Sequence, residues 1–154
     1  IGIFGRRICH FHPTRVQEVC WRCPKRTPMS LARCRSRQQG MTGFCETPDK
    51  FRDYLDAFDN PWVGAYSDIG NMQKFAPAEE WIRTLGHRTV KLDIKDWGKK
   101  NGFCRLGEGD VDWDKVRAAL KEVGFSGWAT REGSDQSIED TSSLIDQLMI
   151  GKER

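Results

Sequence analysis

Long hydrophobic runs are missing from this chain of 154 residues, and histidine is scarce, with three in all. A membrane-spanning helix requires roughly 20 consecutive apolar residues, and a secretory leader requires an apolar core after its basic residues. The chain has neither pattern, which favours a cytoplasmic protein that does not enter the membrane.

Acidic residues are nearly missing from residues 1–45, where Glu18 alone stands against nine Lys or Arg. Residues 46–154 carry twenty-one acids against sixteen bases, and Cys104 is their only cysteine, whereas the first part has five. We therefore expect two unlike segments, 1–46 and 47–154.

Residues 1–46 also lack any apolar period that persists for two helical turns, and Pro falls at positions 13, 24 and 28. A disordered basic arm is one interpretation, although five cysteines and Trp21 are unusual for disorder. Translation of GC-rich DNA out of frame is the other. Because the chain starts at Ile1 and not at Met, we also expect that its natural start is missing.

The Cys20-x-x-Cys23 pair, with His10, His12 and Cys34 nearby, resembles half of a zinc site, but no second pair has a standard spacing. The positive charge of this segment would suit nucleic acid, yet no groove-reading element is visible. We therefore expect no nucleic-acid partner.

From residue 47 onward, local signals alternate between helix and strand. Helices are predicted over 47–58, 77–85, 112–123 and 138–149, strands over 62–66, 89–94 and 127–132, and a long polar loop over 95–110. The order αβαβαβα predicts an α/β fold with parallel strands and right-handed crossovers, either as an open doubly wound sheet or as part of a closed (β/α)8 barrel.

Each predicted strand has a carboxylate at or near its end: Asp68, Asp93 and Glu132. Side chains at the carboxyl ends of neighbouring parallel strands converge on one edge, where sites form. Three carboxylates would repel each other unless a cation lay between them, and oxygen ligands suit Mg²⁺ or Mn²⁺ better than Zn²⁺. The alternative is that Asp68 makes a turn, Asp93 pairs with a nearby lysine, and Glu132 is simply solvated.

Four stretches together resemble the closing strands and loops of the sugar phosphate isomerase/epimerase family, which has a xylose-isomerase-like TIM barrel. They are residues 63–71 (VGAYSDIGN), 90–96 (VKLDIKD), 106–113 (LGEGDVDW) and 127–132 (GWATRE), in the family's order over about a hundred residues. The resemblance implies the last three to four βα units of a barrel of about 250 residues. A chain this short is therefore expected to be truncated, with exposed apolar surface that would be covered by a partner such as a second copy in a homo-oligomer.

The family holds a divalent metal with a Glu, an Asp, a His and a second Glu. By resemblance, Asp68 is the Asp ligand, Glu132 is the last Glu and the catalytic acid/base, and Asn71 contacts the substrate. Asp93 stands where the His ligand is most often found. The first Glu is expected upstream of Thr47, where neither Glu18 nor Glu46 is a convincing match.

The function implied is metal-dependent isomerisation or epimerisation of a sugar or sugar phosphate. A carboxylate removes a proton next to a carbonyl, and Mn²⁺ or Mg²⁺ would stabilise the resulting enediolate. Glu108 and Asp110 could orient a substrate hydroxyl, or they are ordinary solvated loop residues. A barrel-derived binding protein without catalysis is an alternative, and an endonuclease IV-type phosphodiesterase is a weaker one because its additional histidines are absent.

Overall fold

In the computed structural model of the chain, the described residues are 5–8, 31–33, 46–60, 62–133 and 137–151. Only the backbone is described for 5–8, 31–33 and Ile138. The zinc interpretation of the cysteines and the two interpretations of residues 1–46 fall almost wholly outside these ranges, so they stay predictions.

The described ranges contain seven strands and five α-helices, most of which lie between residues 48 and 150. The strands are β1 (Gly5–Ile8), β2 (Leu31–Arg33), β3 (Gly64–Asp68), β4 (Thr89–Ile94), β5 (Asp96–Gly98), β6 (Gly102–Cys104) and β7 (Gly127–Arg131). The helices are α1 (Pro48–Asp56), α2 (Ile69–Met72), α3 (Ala78–Leu85), α4 (Trp113–Glu122) and α5 (Ile138–Ile145), with a 3-10 turn at Gly86–Arg88 and a π-helical turn at Asp146–Ile150.

Helix starts follow from capping side chains in the sequence. The hydroxyl of Thr47 accepts a hydrogen bond from Lys50 N at 3.4 Å, and the carboxylate of Asp112 accepts one from Lys115 N at 3.0 Å. These contacts satisfy backbone donors that a helix leaves free in its first turn. The helices predicted over 47–58 and 112–123 are thus present as α1 and α4.

The main sheet has the strand order β1-β7-β4-β3-β2. Strands β2, β3, β4 and β7 run parallel, and β1 pairs antiparallel with β7. Parallel strands joined by helices are the arrangement predicted from the αβαβαβα order. Within the described residues the sheet is open and not closed on itself, so the predicted α/β fold with a mostly parallel sheet is confirmed, and the arrangement suits part of a barrel.

One predicted boundary differs from the structure. The strand expected over 62–66 begins at Gly64 instead, because Asn60 holds the chain in a turn: its Oδ1 accepts from Trp62 N at 2.9 Å and its carbonyl from Val63 N at 3.1 Å. The strand also extends to Asp68, which is its last residue and not a residue beyond it.

The segment 95–110, predicted as a long polar loop, contains an antiparallel hairpin formed by β5 and β6. Asp96, which is 0% exposed, holds this hairpin to the domain. Its carboxylate accepts from its neighbour Trp97 N at 2.8 Å, from Gly107 N at 2.8 Å and from the indole Nε1 of Trp113 at 3.1 Å. A buried carboxylate with three donors fixes the path of the whole segment.

The hydrophobic core lies between the sheet and the helices that follow its strands. Its buried members include Trp81, Ile82 and Leu85 of α3, Val116 and Ala119 of α4, and Ala65, Leu92, Ile94 and Ala129 of the strands. Helix α1 joins them by packing Phe51 edge-on against Trp81, with the ring centroids 6.4 Å apart. Among the helices of the described ranges, none combines the length and hydrophobicity that crossing a bilayer demands.

We expect Asp96→Ala to destabilise the chain by about 3 kcal/mol or more, since three donors would lose their buried acceptor at about 1–3 kcal/mol each. Chemical denaturation would measure the free energy of unfolding. Asp114→Ala is the matched control because its carboxylate is exposed on α4, and a change within about 0.5 kcal/mol is expected there. Equal effects of the two substitutions would contradict the anchoring role of Asp96.

Candidate functional site

Strands β3, β4 and β7 present two chemically different faces. Alternate residues such as Leu92 and Ala129 pack against the helices, as the two-residue period of a strand requires. The opposite face is polar apart from Trp128, whose side chain is 53% exposed. That face carries Tyr66, Asp68, Lys91, Asp93, Trp128 and Thr130.

Three carboxylates meet at the carboxyl end of this polar face. Asp68 ends β3, Asp93 lies beside it in the parallel register of β4, and Glu132 follows β7. One carboxylate oxygen from each of the three lies within 4.8 Å of the others. Asp68 and Asp93 are each 3% exposed, whereas the Glu132 side chain is 43% exposed. We call these residues the carboxylate triad; the structure brings them together, and their roles stay predictions.

Asp68 is held by Asn71, which lies one turn further along in α2. Asn71 N donates to Asp68 Oδ1 at 3.0 Å, and the Asn71 side-chain amide donates to Oδ2. Burial raises the pKa of Asp68, with the negative charge of Glu132 adding to the shift, whereas the Asn71 donors and Lys95 oppose it. The turn predicted as the alternative role of Asp68 is thus present, and it coexists with the triad.

Asp93 is oriented by two hydroxyl groups that the sequence interpretation did not single out. The Tyr66 phenol donates to Asp93 Oδ1, and Thr130 Oγ1 donates to the same oxygen at 2.5 Å. Lys91 Nζ in turn donates to the Tyr66 hydroxyl at 2.7 Å and lies 4.0 Å from the ring centroid. The predicted pairing of Asp93 with a lysine therefore runs through Tyr66. The two-residue period of the strands could have identified these partners from the sequence, because it places Tyr66, Lys91, Asp93 and Thr130 on one face of the sheet.

Glu132 is accompanied by a group of cationic and aromatic side chains. Lys95 Nζ lies 3.6 Å from Glu132 Oε1 and 3.9 Å from the ring centroid of Phe103, and Lys74 Nζ lies 4.0 Å from the same centroid. Burial lowers the pKa of Lys74, and the charge of Lys95 lowers it further. Sequence reasoning missed Lys74 and Phe103, since the segments that carry them appeared to be ordinary loops.

The two remaining predicted site residues lie in different settings. Asn71 is part-buried and tied to Asp68, so it belongs to the edge of the triad. Glu108 is exposed and lines an open groove of about 690 Å³ between its own loop, α4 and the C-terminal helix. The lining of that groove includes no triad residue. Asp110 ties the hairpin together by accepting from Lys99 N at 2.7 Å. A substrate contact by Glu108 stays a prediction.

The donor set of the triad fits a hard divalent cation. All three groups offer carboxylate oxygens, which Mg²⁺ and Mn²⁺ prefer, and two of them are buried, so their mutual repulsion is poorly screened. Tyr66, Thr130 and Asn71 donate hydrogen bonds to these carboxylates, as outer residues of metal sites commonly do. Asp68, Asp93 and Glu132 would hold the ion.

Comparison with known proteins agrees with this fold. The model of the family described as xylose isomerase-like TIM barrel matches residues 37–149. L-ribulose-5-phosphate 3-epimerase UlaE of Escherichia coli O1:K1 / APEC is 31% identical over 97 residues, which are 60% of this chain and 33% of the relative. The UlaE protein of Shigella boydii serotype 18 is 30% identical over 97 residues, again 60% of this chain and 33% of the relative. The match therefore spans about a third of the length of these curated relatives.

A solved structure shares the fold over part of its length. The xylose isomerase domain protein from Planctomyces limnophilus superposes with a TM-score of 0.53 and 19% identity, over 66% of this chain and 42% of that one. At this identity the likeness concerns the fold alone.

We expect Asp68→Asn to stabilise the metal-free chain at neutral pH. Because burial raises the pKa of Asp68 above the unfolded value of about 3.9, the ionised carboxylate costs stability at higher pH, and this cost vanishes as the pH falls below that unfolded value. Denaturation in the presence of a chelator between pH 3 and pH 8 would measure the difference.

Asp112→Asn is the control, and we expect this substitution to destabilise the chain at neutral pH, the opposite of the effect at Asp68. Hydrogen bonds from Lys115 lower the pKa of Asp112, so its charge stabilises the fold above the unfolded pKa, and that contribution is lost as the pH falls through the folded pKa. A stabilising effect of Asp68→Asn that did not shrink in acid would contradict the assignment to ionisation.

Proposed function

Since the chain belongs to the xylose isomerase-like TIM barrel family, we propose that it contributes a metal-dependent site for isomerising or epimerising a sugar or sugar phosphate. The observation that carries the proposal is the convergence of Asp68, Asp93 and Glu132 on one polar sheet edge, with their ligand oxygens within 4.8 Å of one another. The relatives named L-ribulose-5-phosphate 3-epimerase support a sugar as the substrate class.

Glu132 is the residue suited to move the proton. It follows β7 at the open side of the triad, and its side chain is 43% exposed, so a substrate can reach it. Its carboxylate removes a proton from the carbon next to a carbonyl; the electrons of the broken C–H bond form a C–C double bond, and the carbonyl oxygen becomes negative. Asp68 and Asp93 are buried and hydrogen-bonded, which suits ligands more than groups that exchange protons with a substrate.

A divalent cation held by the triad would stabilise the negative oxygen that forms when the proton leaves. The residues around the triad serve to keep it in position. Tyr66 and Thr130 fix Asp93 through one oxygen, and Asn71 fixes Asp68 through both. This orientation occurs in advance of binding, so it costs little when the substrate arrives.

The destination of the proton decides between the two reactions. If the hydroxyl proton of the deprotonated carbon passes to the negative oxygen, and Glu132 returns its own proton to the former carbonyl carbon, the carbonyl moves to the neighbouring carbon and the product is an isomer. If a second acid delivers a proton to the same carbon from the opposite face, the product is an epimer. The family's first Glu, which would be that second acid, is expected upstream of Thr47, where most residues lie outside the described ranges. The proposal therefore covers both reactions.

The substitution of Asp93 for the family's usual His favours a particular metal class. An imidazole ligand suits Zn²⁺ and other transition metals, whereas a third carboxylate shifts the preference towards Mg²⁺ and Mn²⁺. The carboxylate of Asp93 also adds a negative charge, and a bound cation would offset the additional repulsion. A barrel-derived binding protein without catalysis stays the second candidate, because the same substitution departs from the catalytic set.

We expect the chain to bind Mn²⁺ in calorimetry, and we expect the Asp68→Ala, Glu132→Ala double variant to lose that binding. Removing two of three carboxylates takes away most of the charge and the ligands of the site. The control is Asp49→Ala, Asp114→Ala, which removes the same charge from exposed positions on α1 and α4. Mn²⁺ binding that persists in the site variant would place the metal elsewhere.

The chemistry is tested by exchange with solvent. Incubating ketoses and ketose phosphates in D₂O with Mn²⁺ and the chain should incorporate deuterium at the carbon next to the carbonyl, measured by proton NMR. Glu132→Gln should lower the rate of exchange by at least about a hundredfold, since general acid–base groups contribute typically 10²–10⁴-fold. A chain that binds Mn²⁺ at the triad but exchanges no substrate proton would favour the non-catalytic candidate.

A further inference from the structure

Two lysine side chains lie against one aromatic ring beside the triad. Lys74 Nζ and Lys95 Nζ are each within 4.0 Å of the ring centroid of Phe103. Each ammonium is attracted to the ring, but two like charges so placed also repel each other. The charge of Lys95 acts on Lys74 in this arrangement, and an anion bound beside the two ammonium groups would offset their repulsion.

Close packing fixes the position of Lys95. A Cβ at Gly70 would lie 3.0 Å from the carbonyl of Lys95 and 3.1 Å from its Cγ, so α2 packs against the lysine only because residue 70 has no side chain. The ammonium group of Lys95 lies 3.6 Å from Glu132 Oε1, and only 18% of the Lys95 side chain is exposed. Phe103 is 36% exposed, so the cluster borders the triad and also reaches solvent.

Charge balance gives the class of anion. The triad contributes three negative charges when all its carboxylates are ionised. Three lysines around it contribute three positive charges: Lys91 against Tyr66, and Lys74 and Lys95 against Phe103. A divalent cation at the triad would leave an excess of two positive charges. A phosphate ester carries about −1.5 to −2 at pH 7, which matches that excess.

We propose that Lys74, Lys95 and the exposed part of Phe103 form a subsite for the phosphate group of a phosphorylated sugar whose carbonyl end lies at the triad. The proposal rests on the proposed function and selects phosphorylated over free sugars within it. Lysine ammonium groups are compact charges with three donors each, which suits a phosphate approached from several directions.

Binding of the metal and of the phosphate should be coupled. Glu132 Oε1 lies 3.6 Å from Lys95 Nζ, so this carboxylate competes with a phosphate for the ammonium. When Glu132 serves as a metal ligand, Lys95 is released from that competition. The phosphate affinity is therefore expected to rise when Mg²⁺ is present, and by linkage phosphate should strengthen Mg²⁺ binding by the same factor.

The test is calorimetry with inorganic phosphate on the Mg²⁺-loaded chain, on Lys74→Met and on Lys115→Met. Lys115 is the matched control because it is exposed on α4 and paired with Asp112. Losing a charge-assisted contact should weaken the binding of phosphate to Lys74→Met roughly tenfold or more, whereas Lys115→Met should bind as the parent does. Thermal melting of both variants checks that each is folded.

A metal-free arm separates the two proposals. Glu132→Gln removes the carboxylate that competes for Lys95, so this variant should bind inorganic phosphate more tightly than the parent chain without metal. Adding Lys74→Met, which removes the other ammonium, should weaken the binding again. Phosphate affinity unchanged by Lys74→Met in both backgrounds overturns the subsite, as does Mg²⁺ binding without any phosphate binding. Loss of Mg²⁺ binding with phosphate binding intact contradicts the proposed function and leaves the subsite supported.

Discussion

Mutual repulsion between Asp68, Asp93 and Glu132 is the constraint around which the polar face of the sheet is arranged. Two unit charges 4 Å apart repel by roughly 4 kcal/mol at the effective dielectric of a protein surface, and two of these carboxylates are buried. Neighbouring donors offset part of that cost. Tyr66 and Thr130 donate to Asp93, Asn71 donates to Asp68, and Lys95 lies beside Glu132. The raised pKa of Asp68 shows that burial and Glu132 outweigh the groups that favour its charge.

The apolar face of the sheet and the β5–β6 hairpin hold the carboxylate triad and its neighbours in place. Apolar residues of β3, β4 and β7 pack against α3 and α4, so the strands cannot slide without exposing core side chains to water. Asp96 fixes the hairpin that carries Phe103, and Phe103 in turn positions Lys74 and Lys95. The hairpin therefore links Asp96, which has a structural role, to Lys74 and Lys95, which are proposed to bind a ligand.

Predictability differed between elements for physical reasons. Helices α1 and α4 were predicted well because each has a capping side chain and an apolar face within a few residues of sequence. The start of β3 was misplaced because the Asn60 turn withdraws Trp62 and Val63, whose apolar character alone favours a strand. The β5–β6 hairpin was missed because its main anchor, Asp96, accepts from Gly107 and Trp113, which lie eleven and seventeen positions away.

Some features of the candidate site could likewise be predicted from the sequence, and others could not. By itself the sequence determined the alternation of helix and strand, the carboxylates near the strand ends and the two-residue parity that points them to one face, because each of these depends on nearby residues. Only the tertiary structure decided that Tyr66 and Thr130 hold Asp93, that Lys95 accompanies Glu132, and that Lys74 meets Lys95 on Phe103. Those contacts join side chains from different strands and loops, and their distances are set by strand register and helix packing, which no local pattern contains.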